Sequence, residues 1–187
     1  MSPVSPEPAH RPPHPLALEL IERLADRTGA RVLEVGAGSG RNTRALVDAG
    51  LAVCTLPTQE PCAAGLTTHA LLHGTPRSIG EQLSAIAHAL EPSGLLFATL
   101  GSVRDARYGV GDAREAHVYA PLDGDEVGVV HAYFDQERLR ALLAPHFTIE
   151  SMREVDVDDI AGAWAHTSAP LRGAVHWFVV AAARLCQ

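Results

Sequence analysis

Apolar residues recur along this chain with two periods. Leu16, Leu20, Ile21 and Leu24 fall on one helical face ahead of Gly29, a C-terminal stop. Ile79, Leu83, Ile86 and Leu90 fall on another, opened by Thr75 as N-cap and Pro76 in the first turn and ended near Glu91-Pro92-Ser93-Gly94. Shorter helices are predicted from about Asn42 to Ala49, ending at Gly50, and from Asp135 through Leu143, stopped by Pro145. Between them lie apolar runs of strand length: Arg31 to Val35, a second beginning at Leu51, Leu95 to Leu100, Phe147 to Met152, and Val175 to Ala181. The βαβα alternation with a terminal strand pair predicts an α/β doubly wound, mostly parallel sheet with an antiparallel last strand. Residues 1–15, where prolines alternate with polar residues, read as a disordered tail before a single domain over 16–187.

The most specific local signal is Val32-Leu-Glu-Val-Gly-Ala-Gly-Ser-Gly40, an apolar strand running into glycine at every second position and then a helix start. Such a loop lets backbone approach a ligand closely at a helix N-terminus. A dinucleotide loop would read G-x-G-x-x-G, but here Gly40 comes one place early and Arg41 stands at the expected glycine. The stretch Val32 to Asn42, with Gly50 closing the next helix, resembles motif I of the class I S-adenosylmethionine (SAM)-dependent methyltransferases. The likeness extends to Leu66 through Gly74, which resembles the fourth strand and its exit. Glu91-Pro92-Ser93-Gly94-Leu95-Leu96 resembles the turn into the fifth strand, and His176-Trp177-Phe178-Val179 the closing strand. The resemblance implies SAM as cofactor, held by Glu34, Gly36, Ala37, Gly38, Ser39, Gly40, Asn42 and Thr68.

About fifteen residues separate Gly50 from Leu66, where a complete domain of that family would fit a strand, a helix and another strand. A parallel crossover with its helix needs at least about ten to twelve residues, so one helix and one strand are expected to be missing and Ala52 to Leu56 to form a sheet edge. In the family the acid on the ribose hydroxyls ends strand two. Here that strand exits through Thr55-Leu56-Pro57, leaving Glu60 as the nearest substitute, and the loss predicts weak SAM binding. An apolar edge at Leu51 to Cys54 also invites pairing with a second copy as a homodimer.

Histidine supplies the candidate chemistry. His69, read as lying within the strand after the abridgement, and His73, just beyond it, fall at the carboxyl edge where doubly wound sheets place ligands. His131, just ahead of Tyr133-Phe134 and a helix start, is the preferred general base. Residues 101–133 exceed a plain connection and read as a lid with a hairpin tip at Asp123-Gly124, carrying Tyr108, His117 and Tyr119 as candidate substrate contacts. The ten histidines lack diagnostic metal spacing and no metal is assigned; Cys54, Cys62 and Cys186 read as reduced structural thiols.

With 187 residues, a formal net charge of -7 and no Lys/Arg run, a nucleic-acid backbone or anionic membrane is a poor partner and a small molecule a better one. The longest apolar run, Ala174 to Ala183, is too short to span a bilayer and no signal peptide is evident, so a cytoplasmic location is expected. The expected function is SAM-dependent methyl transfer to a small-molecule acceptor. The alternative is a protein of the same fold that has lost methyl transfer, acting as a lyase, a cyclase or a partner-binding subunit.

Overall fold

The computed structural model describes residues 11–164 and 172–184; His166, Cys186 and the expected tail over 1–10 lie outside them. The chain runs α1 (Pro15–Arg23), β1 (Arg31–Glu34), α2 (Arg41–Asp48), β2 (Ala52–Cys54), β3 (Cys62–Thr67), a 3₁₀ turn (Ala70–Leu72), α3 (Pro76–Ala89), β4 (Leu90–Ser102), β5 (Asp112–Glu115), β6 (Val118–Ala120), β7 (His131–Phe134), α4 (Gln136–Leu143), β8 (Phe147–Asp156) and β9 (Val175–Ala183).

Strands β2, β1, β3 and β4 pair in parallel in that order, and β9 lies antiparallel to both β4 and β8. Because successive strand residues point to opposite faces, the near-continuous apolar strands feed two cores. Leu33, Leu96, Ala98 and Val179 pack under α3 and α4 with Ile79, Leu83, Leu139 and Leu143. Val32, Leu66, Phe97, Phe178 and Val180 pack on the other face with Leu16 and Leu20 of α1 and Leu46 of α2. The abridgement takes a simple form: residues 55–61 carry the chain from β2 to β3 without a helix, leaving β2 at the edge. Among the described residues no helix is long and apolar enough to cross a membrane.

Residues 103–130 carry the chain from the end of β4 through β5 and β6 to β7, which extend the sheet beyond β4. A tight turn at His117 (φ 63°) joins β5 to β6, and β6 pairs antiparallel with β7. Strand β7 then attaches to the end of β4 through Gly101 opposite Tyr133 and Ser102 opposite Phe134, beyond the point where β3 stops. Asp123-Gly124 falls in the β6–β7 connection, so the predicted hairpin exists, together with a β5–β6 hairpin that the sequence did not announce.

Helix α3 begins with a reciprocal cap: the Ser78 amide donates to Thr75 Oγ1 at 3.2 Å, and the Thr75 amide donates to Ser78 Oγ at 2.9 Å. Thr75→Ala removes half of that box at the junction that positions His73. It is expected to lower stability by about 1 kcal/mol and the thermal midpoint by about 2–4 °C, read by calorimetric melting.

Candidate functional site

At the carboxyl end of β1 the chain turns through the glycine loop into α2. Gly36 has φ 77°, and a Cβ there would stand 2.6 Å from the Ala70 Cβ, so the loop is pressed against the exit of β3. Gly40, the N-cap of α2, has φ 76° and no side chain caps the helix. The Gly40 amide donates to the Ala37 carbonyl at 2.9 Å, closing the loop around Ser39. Glu34 ends β1 with 3 % exposure. Its Oε2 accepts from Thr43 Oγ1 at 2.5 Å, while Oε1 is buried with no hydrogen-bond partner. Burial raises its pKa despite the Thr43 bond that lowers it. A buried, half-satisfied carboxylate beside an uncapped helix start suits a ligand carrying a cationic or N–H donor group.

The sugar side differs from the expectation. Glu60 pairs with Arg31 at 3.0 Å, at the start of β1 and away from the glycine loop that leaves its other end. The helix-free crossover returns to the amino edge of the sheet before Glu60 is reached, so this residue is no ribose ligand, and no carboxylate ends β2. Asn42 and Thr68 are also engaged internally: Asn42 Nδ2 donates to Thr68 Oγ1 at 3.0 Å, and Asn42 Oδ1 accepts from the His14 amide at 2.8 Å. Arg41 Nη1 donates to the Pro12 carbonyl at 3.3 Å. Residues 12–14 therefore form a strap across the start of α2, and the tail expected through Pro15 gives way by His14, which is fully buried and caps α1.

Behind the strap lies a buried group of imidazoles. His69 is not in a strand: β3 stops at Thr67, and His69 takes φ 72° ahead of the 3₁₀ turn, its amide donating to Thr99 Oγ1 at 2.7 Å. A non-glycine residue in this region marks a site where the surroundings impose the conformation. Its Nε2 lies 2.9 Å from the Ala163 carbonyl, which only accepts, so Nε2 donates and Nδ1 is the basic nitrogen. The His69 ring stands 5.6 Å from His14, 5.5 Å from His176 and 6.4 Å from Trp164. His14 Nδ1 accepts from the Leu16 amide, and His176 Nε2 accepts from Arg107, so each ring holds its proton on a second nitrogen that has no hydrogen-bond partner among the described residues. Arg107 is fixed by Asp105 through two side-chain bonds of 2.8 Å and lies over the Trp164 ring at 5.0 Å. Sequence reasoning assigned no role to His14, Asp105, Arg107 and His176: Asp105 and Arg107 are near neighbours, but the bonds that bring them into this group run to Val175 and His176, far along the chain.

The candidate substrate contacts Tyr108, His117 and Tyr119 lie together. Tyr108 Oη is 2.6 Å from His117 Nδ1, and the Tyr108 ring stands 5.4 Å from Tyr119 and 5.7 Å from Tyr133. His131 is placed otherwise. Its Nδ1 donates to the Val129 carbonyl, and its Nε2 faces Glu126, as does His73 Nε2. His131 thus groups with His73 and Glu126, while His69 groups with His14, His176 and Trp164. Cys54 and Cys62 are free thiols, their sulfurs 2.9 Å apart at the crossover.

No family model matches the chain, and no curated protein matches it in sequence. Solved structures do match. 1,6-Didemethyltoxoflavin-N1-methyltransferase from Burkholderia thailandensis, crystallised with 1,6-didemethyltoxoflavin and S-adenosylhomocysteine, superposes with a TM-score of 0.63 at 20 % identity, over 91 % of this chain and 77 % of that one. Magnesium protoporphyrin IX methyltransferase from Synechocystis PCC 6803 with bound SAM gives 0.55 at 11 % identity, over 89 % and 77 %. A complex of the Haloferax volcanii Trm112 methyltransferase activator with a methyltransferase gives 0.59 at 14 % identity, over 93 % and 91 %. Strand order, glycine loop and antiparallel last strand agree with these likenesses, and the protein has the class I SAM-dependent methyltransferase fold in an abridged form.

Proposed function

We propose that the protein transfers a methyl group from SAM to a small-molecule acceptor. The observation that carries this reading is the buried, unpartnered Glu34 Oε1 beside the glycine loop, in a fold whose solved neighbours include enzymes holding SAM or its demethylated product. SAM, when bound, supplies an electrophilic methyl on a sulfonium. The residues fit its amino-acid end: the loop from Gly36 to Gly40 gives close backbone approach, and Glu34 gives an acceptor for the ammonium. The sugar end finds no carboxylate, which weakens binding by about 1–3 kcal/mol for each hydroxyl bond left unmade. His69, oriented by the Ala163 carbonyl, is the candidate to take the acceptor's proton. The imidazole group excludes water, and the stacked rings of Tyr108 and His117, with Tyr119 edge-on to Tyr108, offer an aromatic surface for the acceptor.

Glu34→Gln tests this assignment. The change removes a charge that burial disfavours while keeping an acceptor for Thr43, so the melting temperature is expected to hold or rise. SAM affinity is expected to fall about tenfold or more as a charged hydrogen bond is lost. Equal SAM affinity in the two proteins, measured by calorimetry, would remove Glu34 from the site. The second reading, a partner-binding protein without methyl transfer, is favoured by one observation: the strap over α2 already engages Asn42, which in turn holds Thr68.

A further inference from the structure

His73, Glu126 and His131 meet at the carboxyl edge of the sheet in an arrangement whose protons do not match. His131 Nδ1 is 2.8 Å from the Val129 carbonyl, so the ring donates there and carries its lone pair on Nε2. That Nε2 stands 3.2 Å from Glu126 Oε2, a second acceptor. The other oxygen of the same carboxylate is 3.2 Å from His73 Nε2, and the two rings meet edge to face at 4.9 Å. Acceptors facing each other at this distance repel unless a positive charge lies between them.

We propose that His73, Glu126 and His131 bind a divalent transition-metal ion, with Zn²⁺ the ion best suited to two imidazoles and one carboxylate. One potential ligand atom from each residue lies within 4.8 Å of the others. Bonds of about 2.0–2.2 Å to one ion place neighbouring ligand atoms roughly 3–3.5 Å apart, the spacing seen between each imidazole and Glu126. The Nδ1 bond to a backbone carbonyl is the outer bond that fixes the tautomer of a metal-binding imidazole. The main chain also holds the two histidines together: His73 and His131 face each other in an antiparallel bridge, and the Gly74 amide donates to the Val130 carbonyl at 2.7 Å. Glu126 closes the set from the β6–β7 connection. Side-chain exposure rises from 5 % at His131 through 20 % at Glu126 to 42 % at His73, which gives the ion an entry path and leaves coordination positions open, as in catalytic rather than structural zinc sites. In a methyltransferase, the reading on which this role alone rests, an open position would take the acceptor's oxygen or nitrogen and ease its deprotonation.

Full-length protein stripped of metal is titrated with Zn²⁺ against a chromophoric chelator, and with Co²⁺ for its visible absorption. The expected result is one equivalent bound with micromolar or tighter affinity. Glu126→Gln and His73→Ala should each weaken binding at least about 100-fold and abolish the Co²⁺ bands, with circular dichroism unchanged. Cys54→Ser should leave uptake intact, since the neighbouring thiols are the competing soft ligands. Absence of stoichiometric uptake by the folded protein would overturn the proposal, as a proton would then suffice between Nε2 and the carboxylate. Uptake that survives Glu126→Gln and His73→Ala, or that disappears only with Cys54→Ser, would overturn it equally. Metal uptake is read without SAM, so its failure leaves methyl transfer standing, and failure of SAM binding leaves the metal site standing.

Discussion

Lowering the pH from 7 to 5 is expected to destabilise the fold by about 2 kcal/mol through His176 alone, with up to about as much again from His14. Burial, reinforced by His69 and the nearby Arg107, lowers the pKa of His176 from 6.5 to about 3, with Asp105 and Glu126 offsetting only part. Burial, His69, Arg41 and His176 lower that of His14 to about 2. Between these values and 6.5 the unfolded chain takes up protons that the folded chain refuses, so stability is complete above about pH 6.5 and falls steadily below it. His176 sits within β9 between β4 and β8 and reaches water only by unfolding. His14 can escape by releasing residues 11–14, which limits its share. Glu34 works in the opposite direction, because its raised pKa lets the folded state gain protons first. Urea unfolding at pH 7, 6 and 5 reads the balance: a midpoint that declines steadily is expected, and a flat profile would show that the imidazoles reach water in the native state.

Asp105→Ala is expected to cost about 3–5 kcal/mol, among the largest effects of any single substitution in this chain. Asp105 accepts from Arg107 Nε and Nη2, from the Arg107 amide, and from the Val175 amide at the start of β9, with its side chain 1 % exposed. Burial alone would raise its pKa, but the hydrogen bonds and charge of Arg107 carry it below the usual aspartate range, so this pair loses strength only at pH values below about 4. Alanine leaves the Arg107 guanidinium buried without its partner and releases the residue that carries both Trp164 and His176. The thermal midpoint should drop by about 10 °C. Replacing both partners, as Asp105→Ala with Arg107→Met, should recover most of the loss, since an apolar pair leaves no buried charge. A single variant within about 1 kcal/mol of the parent would mean that water solvates this ion pair.

The sequence made visible those parts of the molecule whose causes are local. The glycine loop, the Thr75-Pro76 start of α3, the Asp135 cap of α4 and the apolar run of β9 each depend on neighbours within a few residues, and each stands within a few positions of its expected place. The missing helix followed from chain length alone. Side-chain roles were less legible because they depend on distant partners. Glu60 lies close in sequence to the expected ribose position, yet a helix-free crossover takes it to Arg31. His131 is read from its place ahead of Tyr133-Phe134, and its grouping with His73 depends on the bridge that brings residue 73 across to β7. His69 belongs to an apolar run that looks like strand, and only its contact with Thr99 shows why the chain leaves the sheet there. His14 sits in a stretch whose prolines suggest disorder, yet its burial depends on Asn42 and Phe178.

The most direct measurement is a calorimetric titration of the purified, folded protein with SAM and with S-adenosylhomocysteine. Saturable binding of one ligand per chain is expected, with a dissociation constant between about 1 µM and 1 mM, weakened by the absent sugar carboxylate but retained by the glycine loop and Glu34. No heat from either ligand at millimolar concentration, with the circular dichroism spectrum intact, would contradict methyl transfer and leave a class I fold serving another purpose.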